Sequence, residues 1–501
     1  MDPASSGSTS SPEMSVQPTG SAATSIDEEA LRREWEGCGQ SHVFAHLTEL
    51  TPMQRATLFS HLSRFSPSSL LGRWNATRAP PPISTASVCP VEPFEGHVEV
   101  LSETPAEQAA EWRSLGMGAI RSSRVACVVL AGGQGTRLGF EHPKGMYRLS
   151  IPSQMSLFEM QARRIRRLCS LAKETAPADD VPCDPQIPLY LMTSDATHEE
   201  TVEFFEKNDF FGLPTGSVQF FKQNTLPAIG LDGKILMASP YELALSPNGN
   251  GGIYQALKER GVLSDMRQRE VEMVFVTGVD NVLVRIADPV FVGYTLSLKS
   301  DCSVKVVAKS DPNERVGVLG LRGGKPSVLE YSEISSEQAN ERDEQGQLRF
   351  RCGNICIHLF SLPFLFEMAQ HSRDACLPLH IAQKTVSTVD QPEPTVINAE
   401  KMELFIFDSF PFASNLVALE VRREEEFSPL KNATGSCSPV TCCEDLFALH
   451  RSYLDKAGAK LFDGEDGSKR VYEIDPLISY AGEGLDTLVK GKQYRSPCWI
   501  K

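Results

Sequence analysis

Apolar positions recur along this chain in two spacings, and the change from one to the other marks its elements. Leu31 and Trp35 stand four apart, and Leu58, Leu62 and Phe65 recur along one helical face, so the first stretch reads as packing helices. Two capping boxes are predicted to open them, Ser25-Ile-Asp-Glu28 and Thr51-Pro52-Met53-Gln54, the second with proline at the first helical position. Helical sequence from Ala106 to Arg113 then leads into an unbroken apolar run, Val125 to Leu130. Beyond it the spacing alternates. Leu157, Met160, Ile165 and Leu168 predict a helix, with Arg163, Arg164, Arg166 and Arg167 on a solvated face. Ile187–Met192 predicts a strand, Glu199–Lys207 a helix, Ser217–Phe221 a strand, Ile253–Leu257 a helix and Met273–Val279 a strand. Strands and helices alternating at these intervals predict an α/β fold, a mostly parallel sheet covered on both faces, with ligands beyond the carboxyl ends of its strands.

From Ser303 to Phe360 the pattern changes to short β-rich runs at Val304–Ala308, Val316–Leu321, Val328–Tyr331, Leu348–Arg351 and Ile355–Phe360, a lobe added to the sheet. The ends differ again. Residues 1–24 are rich in Ser, Pro, Thr and Gly and predict a disordered tail, and five prolines between Arg78 and Pro93 predict an extended connector. The division expected is a tail (1–24), a helical N-terminal region (25–121), a central α/β domain carrying the lobe (122–433) and a small β-containing C-terminal domain (434–501).

Composition narrows the function. A formal charge of −15 argues against a protein that coats nucleic acid or an anionic membrane, and no apolar run is long enough to span a bilayer. Thirteen cysteines form no paired CxxC framework, and Cys352-x-x-x-Cys356 and Cys442-Cys443 read as incidental thiols. Reduced thiols without a secretory segment make the cytoplasm the expected compartment.

In an acidic chain, cations gathered beside a bare backbone are informative. Leu130-Ala131-Gly132-Gly133-Gln134-Gly135-Thr136-Arg137-Leu138-Gly139 continues through His142-Pro143-Lys144-Gly145. Glycines without Cβ let successive N–H groups turn toward an anion, and Arg137 and Lys144 add a bidentate guanidinium and a mobile ammonium. The stretch predicts a polyphosphate site. It is not the dinucleotide fingerprint, because Leu138 stands where the last glycine belongs, and not the ATPase-type loop, because Lys144-Gly145 is followed by Met146. Two further residues stand at strand ends. The amide of Gln223 offers the donor and acceptor that the imide edge of uracil needs, or it is an ordinary strand-end residue. Asp280 could hold Mg²⁺ against phosphate oxygens or cap the next turn.

The loop, with its Gln134 and Arg137, resembles the signature of nucleotide-sugar pyrophosphorylases, and most of all the eukaryotic UDP-N-acetylhexosamine branch. Glucose-specific relatives usually lack that pairing. The resemblance runs from about Ala106 to Leu485 and implies a Rossmann-like nucleotidyltransferase domain with a mixed, mostly parallel sheet. It implies that Leu130, Ala131, Gly132, Gly133, Lys144, Gln223, Gly249, Asp280 and Lys401 contact the nucleotide, with Asp280 on Mg²⁺. It further implies that Asn250, Gly317, Glu330, Tyr331, Asn354, Phe405, Phe407 and Lys431 surround the sugar phosphate. The chain departs from the family pattern at Asn398-Ala-Glu400 and at Leu404.

The chemistry implied is attack of an N-acetylhexosamine 1-phosphate on the α-phosphorus of UTP, with Arg137, Lys144 and Lys431 carrying the charge. This gives UDP-N-acetylglucosamine, with UDP-N-acetylgalactosamine as a second product to test. The partners expected are UTP and the sugar phosphate, with no nucleic acid and no membrane; a homodimer is an open option. A UDP-glucose or broad UDP-sugar enzyme, and a catalytically idle UDP-sugar binder, are the alternatives.

Overall fold

The computed structural model describes residues 26–78, 88–89, 98–176, 184–309, 311–331, 333–373, 377–464 and 470–501. The tail at 1–24, Ser25 and most of the proline-rich connector lie outside them. The chain forms two compact units. The smaller comprises residues up to Arg73 with Ile229–Ala244 and Thr385–Ala399; the larger holds Trp74–Ala228, Leu245–Lys384 and Glu400–Lys501.

In the smaller unit three separated segments are joined by hydrogen bonds, two from the Gln40 side chain to backbone and one between backbones. The Gln40 amide donates to Gly233 O (3.2 Å) and accepts from Ile235 N (2.9 Å), and Val389 N donates to Met237 O (2.9 Å). This partition cuts across the sequence division at residues 121 and 433, because these pairings join segments far apart in the chain. The first helix, Glu28–Gly37, starts later than a Ser25 cap would have it: Asp27 is its N-cap, accepting from Ala30 N. The Thr51–Gln54 capping box forms as expected.

The larger unit is built on an eleven-stranded sheet whose main path has eight strands. These are β1 (Val98–Val100), β2 (Val125–Leu130), β3 (Leu189–Thr193), β4 (Val218–Lys222), β5 (Met273–Gly278), β6 (Cys302–Ala308), β7 (Cys352–Ser361) and β8 (Leu416–Val421). Their order is β1-β8-β6-β7-β5-β2-β3-β4. All neighbours are parallel except around β7, which runs antiparallel to both β6 and β5. The sheet is thus mixed and mostly parallel. Its strands are buried on both faces, which is why β2 and β5 read as continuous apolar runs.

A hairpin, Val318–Arg322 with Lys325–Leu329, joins β7 through Val318 and Gly353. Leu348–Arg351, expected as a strand, is a turn with one isolated bridge from Leu348 to Arg342. β propensity is outweighed there by the turn at Asp343–Gly346, whose hydrogen bonds fold the segment back on itself.

The helices of this unit include α1 (Ala106–Arg121), α2 (Leu157–Glu174), α3 (Pro289–Ser297) and α4 (Pro439–Lys456). The arginines of α2 do not form a solvated face. Arg164 is buried and donates to Val282 O (2.9 Å) and Val284 O (3.0 Å), Arg163 pairs with Glu159 and Asp475, and Arg167 pairs with Glu174 and Glu483. A guanidinium carries five donors, so this helix binds carbonyls and carboxylates of later segments. Among the described residues after 434, the long helix α4 accompanies two short parallel pairs, Lys460–Phe462 with Gln493–Arg495 and Tyr472–Ile474 with Cys498–Ile500.

α1 and α3 cross at two glycines. A Cβ on Gly116 would lie 1.9 Å from Pro289 O, and one on Gly293 would lie 1.7 Å from Trp112 O. Trp112 and Tyr294 meet edge to face beside the crossing. Alanine is the better helix former by about 1 kcal/mol, but the obstruction here is backbone and cannot rotate away. Gly293→Ala is therefore expected to destabilise this unit by about 3 kcal/mol, the upper end of overpacking costs. Thermal unfolding checks it; an unchanged midpoint would refute the close crossing.

Candidate active site

The carboxyl ends of β5, β2, β3 and β4 lie side by side, and the segments that leave them converge. After β2, the loop is tied to β3 by Ala131 N, which donates to Met192 O (2.8 Å), and closed by its own backbone, with Gly135 N donating to His142 O (3.0 Å) and Lys144 N to Gly133 O (3.1 Å). The Gly135 N–H is thus used by the loop itself. Ser194, just past β3, donates to Gly132 O (2.8 Å). Past β4, Gln223 is buried against Gly132: a Cβ there would lie 2.3 Å from Gln223 Nε2. A side chain at 132 would push the Gln223 amide off the loop, so Gly132 lets the amide lie against it.

Arg137 lies in a short 3₁₀ turn, Thr136–Leu138, and Lys144 opens another, Lys144–Met146. Gly145 fits because the Phe158 ring of α2 would stand 2.1 Å from any Cβ. Past β5, Asp280 Oδ2 lies 3.8 Å from Lys144 Nζ. A cavity of about 240 Å³ is lined by Gln134, Gly135, Thr136, Arg137, Leu138, Lys144, Asp280 and Lys431. Residues from 134 to 431 thus share one pocket wall, with three cations and one carboxylate. Leu138, Val282, Leu283 and Leu430 pack beside Cys442 and Leu446 of α4, so apolar neighbours anchor the charged residues from behind.

Cys356, on β7, lies close to the same wall. Burial pushes its thiol up to about 12, Asp280 adds to the shift and Lys431 opposes it. Its φ of 55° follows the bulge where β6 and β7 lose register between Lys305 and Val306.

A second group of expected residues assembles around the hairpin. Asn354 N donates to Gly317 O (2.8 Å), and a Cβ on Gly317 would lie 3.2 Å from Glu330 Oε1. Burial raises the Glu330 carboxyl above the usual carboxylate range; Glu333 and Asp408 add to this and His380 opposes it. Tyr331 is half exposed. Phe405 and Phe407 have ring centroids 5.1 Å apart. The Gly249–Gly252 segment docks on the same stretch: Gly251 N donates to Leu404 O (2.8 Å) and Asn250 Oδ1 accepts from Ile406 N (3.0 Å). Gly249 has φ 84°, with Leu404 O 2.4 Å from where a Cβ would stand.

One residue here, His380, carries no local sequence signal. His380 stacks on Phe405 (4.1 Å, 23°) and pairs with Asp408 Oδ2 (2.9 Å), which also accepts from Phe405 N (3.1 Å). Lys401, on the strand Ala399–Glu403, is not among the residues lining the cavity.

Among the described residues no group of three His, Cys, Asp or Glu side chains could hold a metal, and Cys352, Cys356, Cys442 and Cys443 are free thiols. No helix there is long and apolar enough to cross a membrane.

Residues 92–468 match the family model described as UTP–glucose-1-phosphate uridylyltransferase. The chain belongs to this family. The family's members similar to it include the human UDP-N-acetylhexosamine pyrophosphorylase-like protein 1, 40% identical over 94% of this chain and 96% of that protein. UDP-N-acetylglucosamine pyrophosphorylase from Saccharomyces cerevisiae is 38% identical over 91% and 96%. The crystal structure of the uridine diphosphate N-acetylglucosamine pyrophosphorylase from Trypanosoma brucei, in complex with an inhibitor, aligns with a TM-score of 0.79 at 28% identity over 94% and 96%.

Proposed function

We propose that this chain is a uridylyltransferase that joins UTP and N-acetylglucosamine 1-phosphate into UDP-N-acetylglucosamine and pyrophosphate. The observation that carries the reading is the single cavity in which the Gln134–Leu138 loop, Lys144, Asp280 and Lys431 meet. The names of its relatives supply the sugar, and the aromatic and carboxylate group around Gly317 and Phe405 is the pocket for it.

The sugar phosphate is already ionised near neutral pH, so no general base is required. Its oxygen forms a new bond to the α-phosphorus as the bond to the β-phosphate bridging oxygen breaks, and that electron pair leaves with pyrophosphate. The chain's task is alignment and charge stabilisation. Arg137 and Lys144 hold the triphosphate and take up charge on the leaving group, Gln223 reads the uracil edge, and Lys431 restrains the incoming phosphate. Asp280 fits Mg²⁺ as a lone carboxylate, since that ion completes its shell with substrate phosphates and waters; when bound it would neutralise phosphate charge. N-acetylgalactosamine 1-phosphate is the second sugar to test, and the cytoplasm the compartment proposed.

Pyrophosphate release from UTP and Mg²⁺ is measured with the 1-phosphates of N-acetylglucosamine, N-acetylgalactosamine and glucose in parallel. Release with an acetamido sugar well above glucose is expected. A preference for glucose would overturn the sugar pocket and keep the transferase. No release from folded, UTP-binding protein would leave a UDP-sugar binder.

A further inference from the structure

Asp280 and Lys431 are far apart in sequence yet line one cavity, and the backbone shows how they are held together. Leu430 N donates to Asp280 O (2.9 Å), Val282 N donates to Ser428 O (3.0 Å), and Asn281 forms an isolated antiparallel bridge with Pro429. Between these bonds lies one side chain. Asn281 is buried, with 4% exposure. Its Nδ2 donates to Glu426 O (2.7 Å), and its Oδ1 accepts from Ser428 N (3.0 Å) and Leu283 N (3.3 Å). Asn281 and Pro429 face each other as the pair between two ladder bonds, and the Asn281 amide adds three side-chain bonds to those two backbone ones.

The far end of the bonded segment is fixed just as firmly. Glu426 is buried and pairs with Lys305 on β6, and Lys305 also pairs with Asp288 (2.6 Å), the N-cap of α3. Arg285 bonds Glu425 (2.7 Å) and lies 3.6 Å from Glu426. On the other side of Lys431, Cys437 O accepts from Lys431 N (2.8 Å) and Asn432 N (3.0 Å), closing the loop.

We infer that Asn281 is a positioning residue for the transfer step: its amide sets the separation of Asp280 and Lys431 by tying the two segments that carry them, with the Lys305–Glu426 pair as the anchor behind it. This rests on the proposed transferase reading, in which those two groups face the phosphates of different substrates. Asn281 itself does not line the cavity. A displacement of about 1 Å at such a site can cost about 10² in rate.

The test is a double-mutant cycle on the full chain, reading kcat for pyrophosphate release, UTP affinity by calorimetry and the thermal midpoint. Asn281→Ala in the wild-type background is expected to lower kcat by about 10² while UTP affinity stays within about threefold, since the Ala131–Lys144 loop is not tied to it. In a Lys431→Ala background the same change is expected to cost less than about threefold, because nothing is left to position. Multiplicative losses in the two backgrounds would overturn the role, as would an unchanged kcat. Asn281→Asp keeps the volume and both acceptor bonds but loses the donor to Glu426 O, and is read by the same cycle if the alanine variant fails to fold. Failure of both to fold would assign Asn281 to the fold alone. A Lys431→Ala protein with normal turnover would instead remove Lys431 from the proposed site, and the positioning role with it.

Discussion

Lys144→Ala is expected to lower turnover by about 10²–10³, and Arg137→Ala by a similar factor, with the thermal midpoint unchanged. The size follows from the transition state. As pyrophosphate leaves, charge grows on oxygens that the cavity wall must meet with fixed donors, and removing one such preorganised contact commonly costs about 3–4 kcal/mol. The unchanged fold follows from where the two side chains stand. Lys144 is partly exposed and the carboxylate it faces, Asp280, is 3.8 Å away; a pair at that distance near solvent contributes about 0–1 kcal/mol. Leu138 and Gly145, not the cations, pack the loop against the molecule. Steady-state kinetics beside a melting curve decides it. Wild-type turnover in both variants would remove the loop from the chemistry.

The second large effect is on stability in acid. His358 lies on β7 with no exposed surface, stacked on Phe360 (5.7 Å) and edge-on to Phe410 (5.6 Å), and neither ring nitrogen has a hydrogen-bond partner among the described residues. Burial lowers its pKa to about 3. His450, on α4, is also lowered to about 3, by burial and then by Arg164, and its Nδ1 accepts from Ile474 N (3.1 Å), a bond that requires an unprotonated nitrogen.

Above about pH 6.5 both the folded and the unfolded chain hold these rings neutral and their burial counts in full. Below it the unfolded chain takes up protons that the folded chain refuses, so stability falls from about pH 6.5 down to about pH 3. Each group contributes a slope of about 1.4 kcal/mol per pH unit, so His358 alone removes about 2 kcal/mol between about pH 6.5 and 5. His358→Phe keeps the ring and its stacking and is expected to flatten that slope by one proton and raise the melting temperature at about pH 5 relative to wild type. Carboxylates such as the half-buried Glu330 and the buried Glu473, raised by burial, push the other way, and the comparison between the two proteins cancels them. Parallel pH profiles would show that His358 does not titrate on unfolding.

Both groups also show what the sequence conceals. Strands β2 and β5 were legible because a parallel strand covered on both faces must be apolar throughout, and the glycine loop was legible because few functions require so much bare backbone beside two cations. Asp280 and Lys431 could be read from the resemblance, although only the fold brings them to one wall. Lys305 and His358, by contrast, lie inside short β-rich runs, and what surrounds them, the carboxylates of Asp288 and Glu426 around Lys305 and the ring of Phe410 beside His358, arrives from other segments of the chain. Arg164 looked solvated because periodicity gives the face of a helix but not what later covers it. His380 belongs to no motif; its role follows from a ring contact with Phe405, well beyond the reach of any local pattern. Leu348–Arg351 misled because β propensity measures fit to a sheet that is absent there.

The three-part construction of the smaller unit bears on how the chain is made. Trp35, Phe44, Phe59 and Leu62 leave the ribosome early, but the backbone that closes over Gln40 and His42 is at Gly233 and Ile235, and the segment that bonds Met237 arrives near Val389. At about 5–20 residues per second, the nascent chain carries those helices without their partners for roughly ten to forty seconds before the second segment appears, and longer before the third. During that interval Phe44 and Phe59 have each other but Gln40 and His42 lack the segment that bonds them, so the smaller unit closes only after most of the chain is made.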